Sequence, residues 1–141
     1  MIQFEKEIVL SAQTGELDKL TAWLDVILDE AGCPAPPRAQ IAVAAEEVFV
    51  NICRYAYGGA SGSARVLAGI QDFRLVLRFE DSGAAFNPLD HAPPDVSAPI
   101  SGREAGGLGI FIVRKWMDSV QYRRTDGKNE LTLYKTLAHT A

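Results

Sequence analysis

Three short segments of this sequence hold residue types and spacings that chemistry could use. In the first, Glu47 and Asn51 stand four residues apart in an apolar-periodic run. On a helix they lie about 40° apart in projection, one above the other on one face. A carboxylate beside an amide oxygen can accept a proton from an incoming hydroxyl, and it can give a hard cation such as Mg2+ a neutral oxygen ligand. Glu46, about 140° round from Asn51, cannot share that site. A solvated helix edge would carry the same pair for no chemical reason. The second segment, Glu80-Asp81-Ser82-Gly83, falls where an apolar alternation ends. One reading is a turn, with Asp81 bonding its own backbone and Gly83 at positive φ. The other is a carboxylate fixed at a strand end to receive an exocyclic amine, with Gly83 letting a flat base approach the backbone. The third, Gly106-Gly107-Leu108-Gly109-Ile110, opens an apolar helical run. Glycines there either admit a phosphate to the free amides and positive end of the helix dipole, or serve only as a flexible entry to the helix.

Bringing these segments together requires a scaffold. Residues 2–10, with Ile2, Phe4 and Ile8 on one side, predict a strand. From about Thr14 to Ala31 the apolar residues Leu17, Leu20, Leu24 and Ala31 fall at helical intervals, and Gly32 stands where a helix would stop. The run Cys33-Pro34-Ala35-Pro36-Pro37 interrupts, so a second helix is expected over about 38–57, with Ile41, Ala45, Val48 and Ile52 on its apolar stripe. Strands at 64–71 and 73–80, joined through Gln71-Asp72, predict a hairpin. Residues 82–105 hold four prolines and no periodicity, and read as a long loop of the kind that forms lids. A third helix over about 107–118 and a hairpin of 119–125 and 129–137 around Asp126-Gly127 complete the chain. That order predicts an α+β fold: one domain over 1–141, a two-layer α/β sandwich with three main helices on one face of a mixed, mostly antiparallel sheet.

The bulk numbers fit one such domain. At 141 residues the chain can bury roughly 68–70% of the surface its unfolded form exposes. A net charge of −4 gives no electrostatic reason to expect nucleic acid as a partner. Cys33 and Cys53 match no zinc or redox spacing and read as reduced thiols of a cytoplasmic protein. The acidic N-terminal residues Glu5 and Glu7 stand where a secretory signal would be basic, and no apolar run approaches a membrane span. His91, in the proline-bearing loop, and His139, in the tail, have no partner at ligand spacing, and Trp23 and Trp116 read as packing residues.

Taken in order, the three segments resemble the nucleotide-binding boxes of the GHKL superfamily of ATPases and kinases, which share the Bergerat ATP-binding fold. Within it, the run from Glu47 to Tyr57, the segment Asp81-Ser82-Gly83-Ala84-Ala85-Phe86-Asn87-Pro88, and Gly107-Leu108-Gly109-Ile110 leading to Val113, Met117 and Asp118 resemble the anti-sigma-factor serine/threonine kinases. Tyr122 and the close Gly127-Lys128-Asn129-Glu130-Leu131 are similar to theirs as well. The resemblance implies that Asn51 binds Mg2+ at the phosphates of ATP and that Glu47 is the general base for the target hydroxyl. It implies that Asp81 takes the adenine amine with Gly83 beside the ring, and that Gly107, Leu108 and Gly109 cradle phosphates under a lid of residues 88–105. Arg54 and Arg103 are candidate phosphate contacts. The chain departs from the family at Tyr55, where a histidine is usual, and at Ala105 or Gly106, where an arginine is. Those changes bear on phosphoryl transfer more than on nucleotide binding.

The function so implied is phosphorylation of a STAS-domain anti-anti-sigma protein by a cytoplasmic homodimer that also holds a sigma factor, a partner-switching system. The alternatives are an ATP-binding module that sequesters a regulator without kinase activity, and a detached histidine-kinase catalytic domain. The absence of a helix carrying a phosphoacceptor histidine counts against the last.

Overall fold

The structure, a computed structural model, describes residues 2–90 and 107–137. Arg103, His91, His139 and most of the expected lid lie outside the described residues. Five strands form one sheet in the order β1-β2-β3-β5-β4: β1 (Lys6–Ser11), β2 (Ser63–Gln71), β3 (Arg74–Asp81), β4 (Ser119–Thr125) and β5 (Lys128–Thr136). Every neighbouring pair is antiparallel, so the sheet is not mixed as expected. The chain leaves β3, forms the edge strand β4, and returns as β5 between the two.

The helices are α1 (Leu17–Glu30), α2 (Ala35–Tyr55) and α3 (Gly107–Trp116), with short 3-10 turns at Thr14–Glu16 and Pro88–Asp90. Period-two alternation turns Leu75, Leu77 and Phe79 of β3 and Leu131 and Leu133 of β5 toward the helices. There they meet Leu20, Leu24 and Leu28 of α1, Ile41, Val48 and Phe49 of α2, and Val113 of α3 in one core. Trp23 and Trp116 pack partly buried against it, as expected. Among the described residues no helix is long and apolar enough to cross a membrane.

Helices α2 and α3 end at Tyr55 and Trp116, two residues short of expectation, and two other boundaries differ more, each for a local reason. The second helix begins at Ala35, not after the prolines. Amides of a first helical turn have no intrahelical acceptor, so Pro36 and Pro37 lose nothing by lacking them. The first strand begins at Lys6, not Ile2. Glu5 still donates to the Ala68 carbonyl at 3.0 Å. Beyond it the chain leaves the ladder and covers the outer face of the sheet, where Gly69 has no side chain because a methyl would strike the Gln3 carbonyl. Phe4 there lies under the Arg78 guanidinium, 4.9 Å from ring centroid to carbon. Gly32, at φ +66°, ends α1 as its position in the sequence implied.

The β2–β3 hairpin closes one residue later than the expected Gln71-Asp72 turn. Gln71 pairs with Arg74, so Asp72 and Phe73 form the turn with φ of 51° and 64°. Two positive φ values suit the twist of the strands, yet they favour Asn-Gly or Asp-Gly, and Phe73 is 57% exposed in a conformation that costs an L-residue about 1–2 kcal/mol. Phe73→Gly is expected to raise the free energy of unfolding by about 0.5–1 kcal/mol, the relief being partly offset by the greater freedom of glycine in the unfolded chain. Urea unfolding checks it, and an unchanged or lower midpoint would show that the phenylalanine contributes contacts that outweigh its strain.

Candidate functional site

Helix α2 carries Glu47, Asn51 and Tyr55 at intervals of four, a ridge along one face. Opposite it, β3 ends on the inward series Leu75, Leu77, Phe79, Asp81: three apolar residues and then a carboxylate. Asp81 therefore enters the gap between sheet and helix at the place where the core runs out, and is only 8% exposed. A cleft opens there, and both Asn51 and Asp81 line it. Its walls are largely apolar, with Ile52 from α2, Ala56 just after it, Phe79 from β3, Leu131 from β5 and Ile110 from α3. Tyr55 and Phe86 also line it, their ring centroids 6.0 Å apart.

At the Asp81 end the turn is tied down on every side. Oδ1 of Asp81 accepts from the Gly83 amide at 2.9 Å and from Nδ2 of Asn129 at 2.9 Å. Among the described residues its Oδ2 makes no hydrogen bond, which leaves that oxygen for a ligand donor. Asn129, directly opposite Asp81 in the β3–β5 ladder, uses its whole amide. Nδ2 also donates to the Ala84 carbonyl at 2.8 Å, and Oδ1 accepts from the Phe86 amide at 3.2 Å and the Tyr122 hydroxyl at 2.5 Å. The Tyr57 hydroxyl accepts from the Ser82 amide at 2.9 Å and donates to the Ser63 carbonyl. Arg124 donates to the Gly83 carbonyl at 2.8 Å, and the Ala84 amide reaches the Ala56 carbonyl at the end of α2, also at 2.8 Å.

At the other end, Oδ1 of Asn51 is buried with no hydrogen-bond partner among the described residues. An amide oxygen in that condition is missing a donor or a cation, and a hard cation that draws its other ligands from phosphate and water suits it. Among the described residues no group of three His, Cys, Asp or Glu side chains could hold a metal unaided. Glu47 is partly buried one turn before Asn51. It does not line the cleft; it lies against Gly109 in the first turn of α3. Gly107 and Leu108 open the same turn. Arg54 is exposed and outside the lining, and Arg103 is outside the described residues. Burial pushes the Cys33 and Cys53 thiols up, so neither offers a thiolate nucleophile at neutral pH.

Asn129 carries the largest share of the polar network, and sequence reasoning gave it no role. The available signal was the alternation Asn129, Leu131, Leu133, which places the amide on the inward face of β5. Gly83, expected beside a flat ring, has a second demand on it: a methyl there would strike the carbonyl, carbon and side chain of Ala56.

The chain is similar to known proteins in sequence and in fold. Residues 10–135 match the histidine kinase-like ATPase domain. The serine/threonine-protein kinase BtrW of Bordetella bronchiseptica is 31% identical over 112 residues, covering 79% of each chain. The serine-protein kinase RsbW of Bacillus mycoides is 24% identical over 136 residues, covering 93% of this chain and 85% of its own. Among solved structures, the RsbU and RsbW domains of a Mycobacterium tuberculosis protein superpose with a TM-score of 0.66 at 17% identity over 96% of this chain, which spans 34% of that longer one. A blue-light activated histidine kinase of Erythrobacter litoralis has a TM-score of 0.55 at 18% identity over 74% of this chain and 32% of its own.

The contact of Gly83 with the end of α2 sets an expectation. Gly83→Ala forces the turn and Ala56 apart and should cost about 1–3 kcal/mol of stability, read from urea unfolding. If stability held and only ligand affinity fell, the glycine would serve the ligand and not the packing.

Proposed function

Because the chain belongs to the family of histidine kinase-like ATPase domains, we propose that it is an ATP-dependent serine/threonine protein kinase of the anti-sigma-factor type. The observation that carries this reading is the pairing, across one apolar cleft, of a carboxylate oxygen at Asp81 and an amide oxygen at Asn51 that have no hydrogen-bond partner among the described residues. Such a cleft suits a ligand with an amine on an aromatic ring at one end and metal-bound phosphate at the other. The curated relatives, named serine or serine/threonine kinases, support the same conclusion.

In this reading Oδ2 of Asp81 accepts the adenine amine, and the apolar walls of the cleft hold the ring. Asn51 would ligate Mg2+, which when bound supplies charge neutralisation at the phosphates. Gly107, Leu108 and Gly109 bring the amides and positive end of α3 to those phosphates, with Arg54 and Arg103 as further contacts. Glu47 accepts the proton of the target hydroxyl. Positioning and charge, not covalent chemistry, then carry the transfer.

The partner we assign is a STAS-domain anti-anti-sigma protein, with a sigma factor as the alternative partner of a cytoplasmic homodimer. This rests on the family resemblance of the sequence.

Titration calorimetry should detect binding of ADP with Mg2+, and Asn51→Ala should weaken the metal-dependent part; an isotherm without heat would end the nucleotide reading. With a STAS partner and ATP, Glu47→Ala should lower phosphate transfer by about 10²–10⁴-fold while leaving nucleotide affinity intact. Transfer at the wild-type rate would remove Glu47 from the chemistry. No transfer by the wild-type chain, with nucleotide still bound, would favour the sequestering module.

A further inference from the structure

Gly109 breaks a local rule. It is the third residue of the ten-residue helix α3, it is buried, and its backbone is helical with none of the positive φ that calls for glycine. Alanine is the better helix former at such a position. The reason for glycine is therefore in what faces it. A methyl on Gly109 would meet Oε2 of Glu47 first, then Cδ at 2.9 Å and Cγ at 3.4 Å; its three nearest neighbours all belong to that one side chain. No backbone atom is among them. Among the described residues Glu47 makes no hydrogen bond and no ion pair, so nothing polar fixes the carboxylate where it lies.

We propose that Gly109 is a positioning residue for Glu47: the missing side chain leaves a slot in the first turn of α3 that the Glu47 carboxylate fills. This rests on the kinase reading and assigns Gly109 a task separate from cradling phosphate. A general base held by hydrogen bonds gives up lone pairs that it needs to accept a proton. A base held by contact keeps them, and Glu47 is held by contact. The same contact sets the base relative to the helix whose first turn would meet the phosphates. Because the carboxylate is the far end of a flexible side chain, a methyl at Gly109 displaces the base and leaves the fold standing.

The test is Gly109→Ala, alone and with Glu47→Ala. Thermal unfolding of Gly109→Ala should occur at or above the wild-type midpoint. Transfer to the STAS partner should fall about tenfold or more, by clearly more than any fall in affinity for ADP with Mg2+. On top of Glu47→Ala the glycine substitution should add no further loss, since it acts through a group already removed. A readout that needs no activity is the side-chain carboxyl carbon resonance of Glu47 in nucleotide-free protein, assigned by its disappearance in Glu47→Ala. It should move in Gly109→Ala while that of Glu46 does not. Affinity falling in step with transfer, losses that add in the double variant, or an unmoved Glu47 resonance would each overturn the inference. A wild-type chain that binds no nucleotide would instead overturn the functional reading, and the resonance experiment would still decide whether Gly109 places Glu47.

Discussion

The constraint on which the site depends is that a buried carboxylate must have its charge stabilised without losing the oxygen it presents. Asp81 meets it through division of labour between its two oxygens, one saturated by the Gly83 amide and Asn129, the other left open. Had Asn129 been apolar, the carboxylate would lose a donor at a position 8% exposed, and the turn behind it would lose its anchor. Asn129 is itself fixed, because the two donors and two lone pairs of its amide are all engaged. The orientation of Asp81 is thus a property of strand pairing, inherited from the direct opposition of Asp81 and Asn129 in the ladder.

The two ends of the cleft are built by different means. Around Asp81 the turn has the backbone groups of Ser82, Gly83, Ala84 and Phe86 bonded to α2, β4 and β5 or to the tyrosine that follows α2. Around Glu47 the organisation is steric, with a carboxylate against a glycine and an amide oxygen that has no hydrogen-bond partner among the described residues. Hydrogen-bonded networks rigidify; contacts between a flexible side chain and a helix permit adjustment. That difference suits a site that recognises an invariant group at one end and has to admit a reacting group at the other.

Much of this was legible in the sequence because it is local. The α2 ridge follows from a spacing of four in a helix that announces itself by apolar periodicity, and Asp81 follows from an alternation that ends in an acid. Asn129 was not legible as a site residue, since what makes it one is a partner 48 residues away across a strand pairing. Helix α2 starts ahead of Pro36 and Pro37 because a first helical turn accepts proline, although proline in a sequence reads as a break. Strand β1 starts later than the alternation suggests because Ile2 and Phe4 continue the pattern where the backbone lies outside the ladder. Glycine is ambiguous in a sequence for a related reason: at Gly69, Gly83 and Gly109 the neighbour that excludes a methyl is distant in the chain, respectively Gln3, Ala56 and Glu47.

The distance in sequence between Asp81 and Asn129 also bears on how the site comes into being. The two meet only when β3 and β5 are paired, and that pairing closes a loop containing α3 and β4. Closing such a loop costs entropy that the contacts of the assembled sheet repay, so this end of the cleft is expected to form together with the sheet. Occupancy and folding are then linked by mass action: a ligand that binds only the complete sheet shifts the unfolding equilibrium by RT ln(1 + [L]/Kd). For this chain, a ligand held at Asp81 would report on the pairing of β3 with β5.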